Sequence, residues 1–177
     1  HPEALGLDQR YVTSTAIVTW LGVAAPDPIA FEAGGHTLVS LGELWLLDEK
    51  PLTVYGDRLI GAVAMDDLLL AATPSELLIL DGSGALVDRL PFPAPATAVG
   101  TQSGPVVVAT TAGPFALDAA MTAWARVETT ALADWAVPND LDAETRLRLA
   151  DLYLRGAVTW ERALRELHSG RALGMYG

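Results

Sequence analysis

The sequence predicts an α+β protein that is mostly β, an antiparallel β-meander with about three propeller-blade-like repeats followed by a C-terminal helical hairpin. Three short apolar segments end in aspartate, Leu44–Asp48, Leu77–Asp81 and Phe115–Asp118. The aspartates lie 33 and 37 residues apart (81 − 48 and 118 − 81), a period typical of a repeated supersecondary unit. After Pro138 the apolar spacing becomes helical. We expect a single domain of three parts, residues 1–28, 29–130 and 131–177.

The first part, residues 1–28, is predicted to form one short helix and a linker. Tyr11–Val23 contains apolar residues at a helical spacing, Ile17, Trp20 and Leu21. Two prolines follow, and proline ends a helix because it lacks the backbone N–H and restricts the residue before it.

The second part is predicted to be a meander, because short apolar runs alternate with turn residues from Ile29 onward. The predicted strands are His36–Ser40, Glu43–Asp48, Pro51–Tyr55, Arg58–Met65, Leu68–Thr73, Glu76–Asp81, Ala85–Leu90, Ala96–Thr101, Pro105–Thr110, Pro114–Asp118 and Ala123–Glu128. Three blades are too few to close a propeller. We therefore expect a propeller-like fragment, or two packed sheets in a sandwich or open barrel. The equivalent positions Leu46, Leu78 or Leu80, and Leu117 are expected to be buried.

The third part is predicted to be a helical hairpin. Its first helix covers Leu141–Leu154, with Asn139-Asp140 at its start and Arg155-Gly156 at its end. The second begins at Thr159, an N-cap candidate, and ends near residue 168. The apolar residues expected to pack the hairpin on the meander are Leu147, Leu154, Trp160, Leu164 and Leu167.

Composition excludes several classes of function. The chain has 22 acidic and 11 basic residues among 177, for a net charge of −11. Such a surface repels nucleic acid and anionic lipid headgroups. The absence of cysteine excludes disulfides, thiolate metal sites and cysteine nucleophiles. No apolar segment reaches the ~18 residues of a membrane-spanning helix. The first residue is histidine rather than methionine, so we expect the chain to be a piece of a longer protein.

No catalytic, cofactor or metal site is predicted. Asp81–Gly84 is superficially similar to a calcium-binding loop but lacks the further oxygen ligands and closing glutamate, so a β-turn is expected. The acidic pairs Asp48-Glu49 and Asp66-Asp67 are likewise expected at solvated turns. Ser40 lacks the preceding glycine of a nucleophile elbow, so a soluble hydrolase is disfavoured.

Five tryptophans are more than packing needs in one domain. Core positions are expected for Trp20, Trp45, Trp124, Trp135 and Trp160. The last two flank the predicted hairpin and could form its contact with the sheet. An exposed tryptophan would instead mark a binding hot spot.

Residues 157–174 carry a resemblance to a known family. Leucine, histidine, serine, glycine and arginine stand in succession, with a further glycine three residues on; they are Leu167, His168, Ser169, Gly170, Arg171 and Gly174. This string resembles the juxtamembrane segment of PepSY-associated transmembrane-helix proteins. The resemblance implies an extracytoplasmic loop between two membrane helices, at the periplasmic face of a bacterial inner membrane. The family usually carries a helix on a small antiparallel sheet, from which the repeated meander departs over residues 29–128.

The resemblance implies a non-enzymatic domain that binds another membrane subunit or a periplasmic protein. The alternative it implies is an accessory domain of a membrane haem-containing iron or ferric-siderophore reductase. Partner-contact or juxtamembrane positions would be Trp160, His168 and Arg171. His168 could alternatively ligate haem or metal, but only two other histidines exist, so we expect it to interact with the last carbonyls of its helix. The isolated chain is therefore expected to bind neither haem nor zinc.

Overall fold

The computed structural model describes residues 11–12, 14–54, 56–159 and 163–164. Its contacts divide the chain into two compact units, a β unit of residues 28–141 and a helical unit of residues 1–27 and 142–177. The strands are β1 (Ile29–Ala33), β2 (His36–Leu41), β3 (Leu44–Leu47), β4 (Lys50–Pro51), β5 (Gly61–Met65), β6 (Leu68–Ala72), β7 (Glu76–Asp81), β8 (Leu86–Pro91), β9 (Ala96–Thr101), β10 (Val106–Thr110), β11 (Gly113–Leu117), β12 (Trp124–Arg126) and β13 (Asp134–Trp135). The helices are α1 (Thr15–Trp20) and α2 (Ala143–Ala157).

The β unit consists of three antiparallel meanders, which confirms the predicted mostly β fold and its repeats. Their strand orders are β1-β2-β3-β4, β5-β6-β7-β8 and β12-β11-β10-β9-β13. Each repeat segment is the third strand of its meander, namely β3, β7 and β11. The positions expected to be buried are so, since the exposed fraction is 0% for Leu46, Leu78 and Leu80 and 4% for Leu117.

Two of the three repeated aspartates, Asp81 and Asp118, stabilise the turns that follow these third strands. Asp81 accepts hydrogen bonds at Oδ1 from the N–H groups of Ser83 (2.8 Å) and Ala85 (3.0 Å). Asp118 does the same for Thr122 at 2.7 Å and Ala123 at 3.2 Å. These Asx-type bonds satisfy backbone donors that have no ladder partner. Asp81–Gly84 is therefore the turn that the sequence predicts.

Sheet β5–β8 has apolar side chains on both faces, as the nearly continuous run Leu68–Ala72 predicts. Leu69 and Ala71 pack in one cluster with Trp45 of β3. Leu70 and Ala72 pack in a second cluster with Val99 of β9. Because strand side chains alternate between faces, the middle sheet is shared by both clusters.

The β structure continues past the predicted boundary at residue 130. β13 pairs with β9, with Asp134 opposite Thr101 and Trp135 opposite Gly100. A Cβ atom on Gly100 would lie 2.4 Å from the carbonyl oxygen of Asp134, so glycine is required for this close approach. Several predicted strands are also shorter than expected: β4 covers two residues and β12 three.

In the helical unit, α2 begins two residues later than predicted. Its N-cap is Asp142, whose Oδ1 accepts a hydrogen bond of 2.7 Å from the Thr145 N–H. This side chain satisfies an N–H that the first turn leaves without a partner, which places the start there instead of at Asn139-Asp140. Gly156 lies inside the last turn of the helix rather than at its end.

Two leucines of the predicted hairpin face are exposed, which corrects the expectation that they are packed. Leu147 is 72% exposed and Leu164 is 48% exposed. On α2 the buried residue is Leu149, two positions or about 200° around the helix from Leu147. Next to Leu164 in the chain, Ala163 is fully buried and packs in a cluster with Val12 and Val18.

The remaining parts of the hairpin prediction stand as follows. Leu154 packs on the cluster of Val12, Val18, Val158 and Ala163, together with residues of α1. The Ala163 N–H donates to the Thr159 carbonyl at 3.0 Å, as expected of a helix that starts at Thr159. Trp160 and residues 165–168 lie outside the described residues. Within the part of the chain that the structure describes, no helix has the length and apolar character to span a membrane.

Candidate functional site

A groove in the β unit is the candidate binding site. Its lining comes from residues 32–34 of β1 and its turn, residues 62–64 of β5, Thr101 of β9, and residues 134–137 in and after β13. Its volume is about 350 Å³. Since β1, β5 and β13 are each the terminal strand of a sheet, three sheet edges converge here, and we call this the inner-edge groove.

Each of the three meanders begins with a strand near this groove, namely β1, β5 and β9. The segment that contains β13 supplies backbone partners to two of them, β9 and β1. β13 covers the edge of β9, and the Ala136 N–H extends this ladder by donating to the Val99 carbonyl at 2.9 Å. On β1, the Ala30 carbonyl accepts from the Asn139 N–H at 2.8 Å. The segment of residues 134–139 thus bonds first to β9 and then to β1. The corresponding side of β5 has no backbone partner among the described residues.

The groove combines an apolar wall with two carboxylates. Trp135 is partly buried, and Val137 is 70% exposed. Glu32 and Asp134 are exposed, and no Lys, Arg or His is among the residues that line the groove. The Glu32 carboxylate accepts one hydrogen bond of 2.6 Å from the Thr37 hydroxyl. The arrangement can hold an apolar group and a cation, and it offers no nucleophile with an adjacent base.

A smaller cavity of about 200 Å³ shares Gly34 and Ala64 with the groove. Asp66 and Asp67, which form the turn between β5 and β6, also line it. Gly82, in the turn between β7 and β8, lines this cavity as well, so the acidic Asp66-Asp67 turn and the β7–β8 turn lie at the same end of the middle sheet. Carboxylates therefore line both the groove, at Glu32 and Asp134, and the acidic end of the neighbouring cavity, at Asp66 and Asp67.

One histidine lies at this acidic end. The Nδ1 atom of His36 lies 2.7 Å from Oδ2 of Asp48, and the Thr37 N–H donates to Oδ1 at 2.9 Å. The hydrogen bond from His36, followed by that from Thr37, lowers the pKa of Asp48. The pair fixes the turn Asp48-Glu49 against β2, so it has a structural explanation. Among the described residues, no group of three or more His, Asp or Glu side chains could hold a metal ion.

The tryptophans differ in their environment. Trp45 is fully buried, as predicted. Trp20 is 45% exposed, which corrects the core prediction; it lies about 200° around α1 from the buried Val18. Trp124 is partly buried and packs on Phe92, with ring centroids 5.1 Å apart. Trp135 is partly buried as well, and it belongs to the β unit rather than to a helical hairpin.

The partner-contact residues predicted from the sequence, Trp160, His168 and Arg171, are not among the residues that the structure describes. The groove itself was not predicted, because it depends on which strands become sheet edges. A weak signal was nevertheless present: Trp135, Ala136 and Val137 form a short apolar run that contains an aromatic and a β-branched residue before Pro138, as a short strand can.

Comparisons with known proteins assign no family. No protein-family profile matches the chain, and no curated protein does. A chain from a solved Saccharomyces cerevisiae complex, described as a Dbp5 variant bound to Nup159, a Gle1 variant, IP6 and ADP, is similar with 15% sequence identity and a TM-score of 0.43. The match covers 67% of this chain and 37% of that longer chain. A likeness at this level assigns neither activity nor partner.

Proposed function

We propose that the chain is a non-enzymatic, extracytoplasmic partner-binding module of a PepSY-associated integral membrane protein. Its partner is another membrane subunit or a periplasmic protein, and the partner binds in the inner-edge groove. The observation that carries the binding role is the groove itself, with Trp135 and the 70% exposed Val137 on one side and a strand edge of β5 on the other. Aromatic side chains are frequent binding hot spots in protein interfaces, and an open strand edge can pair with an extended segment of a partner.

The membrane context rests on the resemblance of residues 167–174 to a juxtamembrane segment. A localisation experiment can test it, because the chain contains no cysteine. We expect an exposed Ala120→Cys variant of the full-length protein to react with a membrane-impermeant maleimide in intact spheroplasts. The unsubstituted protein serves as the control for labelling elsewhere. If Ala120→Cys reacts only after the cells are lysed, the module is not extracytoplasmic.

The partner-binding role can be tested by photo-crosslinking in native membranes. A photoreactive amino acid at Val137 is expected to give a discrete adduct with a protein partner. The matched control is Val87 of β8, which is 58% exposed but distant in the sheet order from the groove-lining strands. Adducts of the same size and yield at both positions, or no adduct at Val137, would contradict the proposal.

A further inference from the structure

Resting on the proposed function, we infer that the inner-edge groove binds a short, extended, cationic peptide segment of its partner, which pairs with the edge of β5 that has no backbone partner among the described residues. The occupant is thus a segment that contains lysine or arginine and alternates with small or apolar residues. Three observations support this assignment: the direction of the β5 backbone groups, the absence of a backbone partner for them among the described residues, and the charge of the groove lining.

The hydrogen bonds of the middle sheet show which residues of β5 face the groove. The Thr73 N–H donates to the Glu76 carbonyl at 3.0 Å. Because bonding alternates along an antiparallel strand, Ala71 and Leu69 of β6 also bond to β7. The other residues of β6 bond to β5 instead, in the pairs Leu68 with Met65, Leu70 with Val63 and Ala72 with Gly61. It follows that Ala62 and Ala64 direct their N–H and C=O groups away from β6 and toward the groove.

β1 shows the same alternation and shows that its inner edge accepts a backbone partner. Its two-residue turn pairs Ala33 with His36, so Ala30 and Glu32 direct their backbone groups to the inner side. The Asn139 N–H indeed bonds to the Ala30 carbonyl at 2.8 Å. Residues 134–139 hence supply backbone partners to β9 and β1 but not, among the described residues, to β5. An added strand segment would complete the set.

The size of the groove limits the segment to a few residues. A volume of about 350 Å³ lies at the lower end of the range of small-ligand pockets. Of the small groove-lining residues, Ala33 and Ala62 are 7% and 3% exposed and Ala64 is partly buried, so Ala64 is the position of β5 where another backbone can approach. A bulky residue at either β5 position would fill that space. The apolar side chain of the segment would contact Trp135 and Val137.

Charge selects a cationic segment. Glu32 and Asp134 line the groove, and Asp66 and Asp67 line the neighbouring cavity, whereas no Lys or Arg lines either one. Complementary charge speeds association and excludes acidic competitors. The same field repels nucleic acid and anionic lipid, so these are not the occupants.

The test is titration of the full 177-residue chain with an N-acetylated eight-residue peptide of alternating lysine and valine. We expect saturable binding that weakens as salt is raised. The double variant Glu32→Gln/Asp134→Asn should weaken binding about tenfold, as loss of two ion pairs predicts. The matched control, Glu43→Gln/Asp57→Asn, makes the same change of net charge at two exposed acids outside the groove and should change affinity less than about twofold.

Two further peptides separate strand pairing from charge attraction. The peptide with every backbone amide N-methylated keeps its charge but cannot donate to β5, so it should lose at least about tenfold in affinity. A glutamate-valine peptide should not bind. Equal affinity of the parent and N-methylated peptides, equal loss in the groove and control variants, or no binding of the parent peptide would each overturn the inference. A Val137 crosslink in membranes without peptide binding would leave the partner-binding function standing and refute only this class of ligand.

Discussion

The two units of the chain differ in how well local sequence pattern indicates which side chains are buried. In the β unit, the equivalent leucines of the repeat segments, Leu46, Leu78, Leu80 and Leu117, are at most 4% exposed. In the helical unit, Leu147 and Leu164, which the sequence predicts to be packed, are exposed, whereas Ala163 is fully buried. The apolar pattern therefore predicts the buried positions of the repeat segments correctly, but it misassigns two leucines of the helical unit.

The difference has a physical cause. In a meander, each turn sets the register of the next strand, and a one-residue shift would turn every side chain to the opposite face. The partners of a buried strand are therefore close in sequence. The face that a helix buries depends instead on segments far along the chain, here the N-terminal residues Val12 and Val18 that pack with Val158 and Ala163. We expect mutations in the two units to reflect this difference.

The largest effect is expected at the centre of the middle sheet. Leu78→Ala removes a fully buried side chain of β7 and should lower the free energy of unfolding by ~2–5 kcal/mol, from lost burial and the cavity left behind. The matched Leu147→Ala on α2 removes the same atoms from a 72% exposed position and should change it by less than ~0.5 kcal/mol. Urea denaturation measures both. Equal losses in the two variants would refute the contrast between the units.

A second prediction concerns the close approach of β13 to β9. Gly100→Ala places a Cβ atom against the Asp134 carbonyl oxygen and should cost ~1–3 kcal/mol, because backbone atoms cannot move aside as a flexible side chain can. Trp135 fluorescence should shift, since β13 is displaced. Gly82→Ala is the control, because a Cβ there has no atom within 4 Å, and it should be neutral or slightly stabilising. An unchanged Gly100→Ala protein would show that β13 is not held as described.

A third prediction tests the helical unit alone. Ala163→Leu adds three carbon atoms at a fully buried position and should destabilise by ~1–3 kcal/mol through overpacking. Leu164→Ala, at the adjacent position that is 48% exposed, should cost less than the ~2–5 kcal/mol of a buried leucine. Thermal denaturation of both variants measures the order. The reverse order would restore Leu164 as the packing residue that the sequence suggests.

The smallest effect is a pH dependence in the β unit. Hydrogen bonds from the Thr122 and then the Ala123 backbone N–H hold the pKa of Asp118 below its ordinary value of 3.8. Because the folded pKa is the lower one, the stabilisation is present above about pH 4 and is lost as pH falls through the folded pKa. The difference in Tm between the parent and Asp118→Asn should therefore shrink below about pH 4. A difference that stays constant through that range would exclude this role for the ionised carboxylate.

The sequence predicts the β unit at the level of its repeats. The aspartate period predicts three meanders because an apolar third strand that ends in aspartate recurs at β3, β7 and β11, although Asp48 bonds to β2 whereas Asp81 and Asp118 bond within their own turns. β13 was not predicted because a strand of two residues shows almost no periodicity. Its pairing also depends on Gly100, more than thirty residues earlier, where only glycine permits the close approach of the two backbones. The N-terminal segment was predicted as a helix, but its packing with Leu154 and Ala163 is a non-local contact that no local pattern encodes.

The candidate site was less accessible to sequence reasoning for the same reason. Trp135 could be recognised as a residue of interest, but not its position beside Ala62 and Glu32, which come from two other sheets. A groove between sheet edges is a property of the assembled topology. A family resemblance, by contrast, can be seen in a short contiguous stretch of sequence, such as residues 167–174.

Amide hydrogen exchange at β5 tests the central claim most directly. Val63 bonds to β6, whereas Ala62 and Ala64 direct their N–H groups into the inner-edge groove. We expect the Val63 N–H to exchange slowly in the free chain and that of Ala64, which is partly buried, to exchange much faster, with protection of Ala64 when the lysine-valine peptide is bound. An Ala64 amide that is as protected as Val63 in the free chain, or that stays unprotected under saturating peptide, would contradict a strand edge that receives the partner.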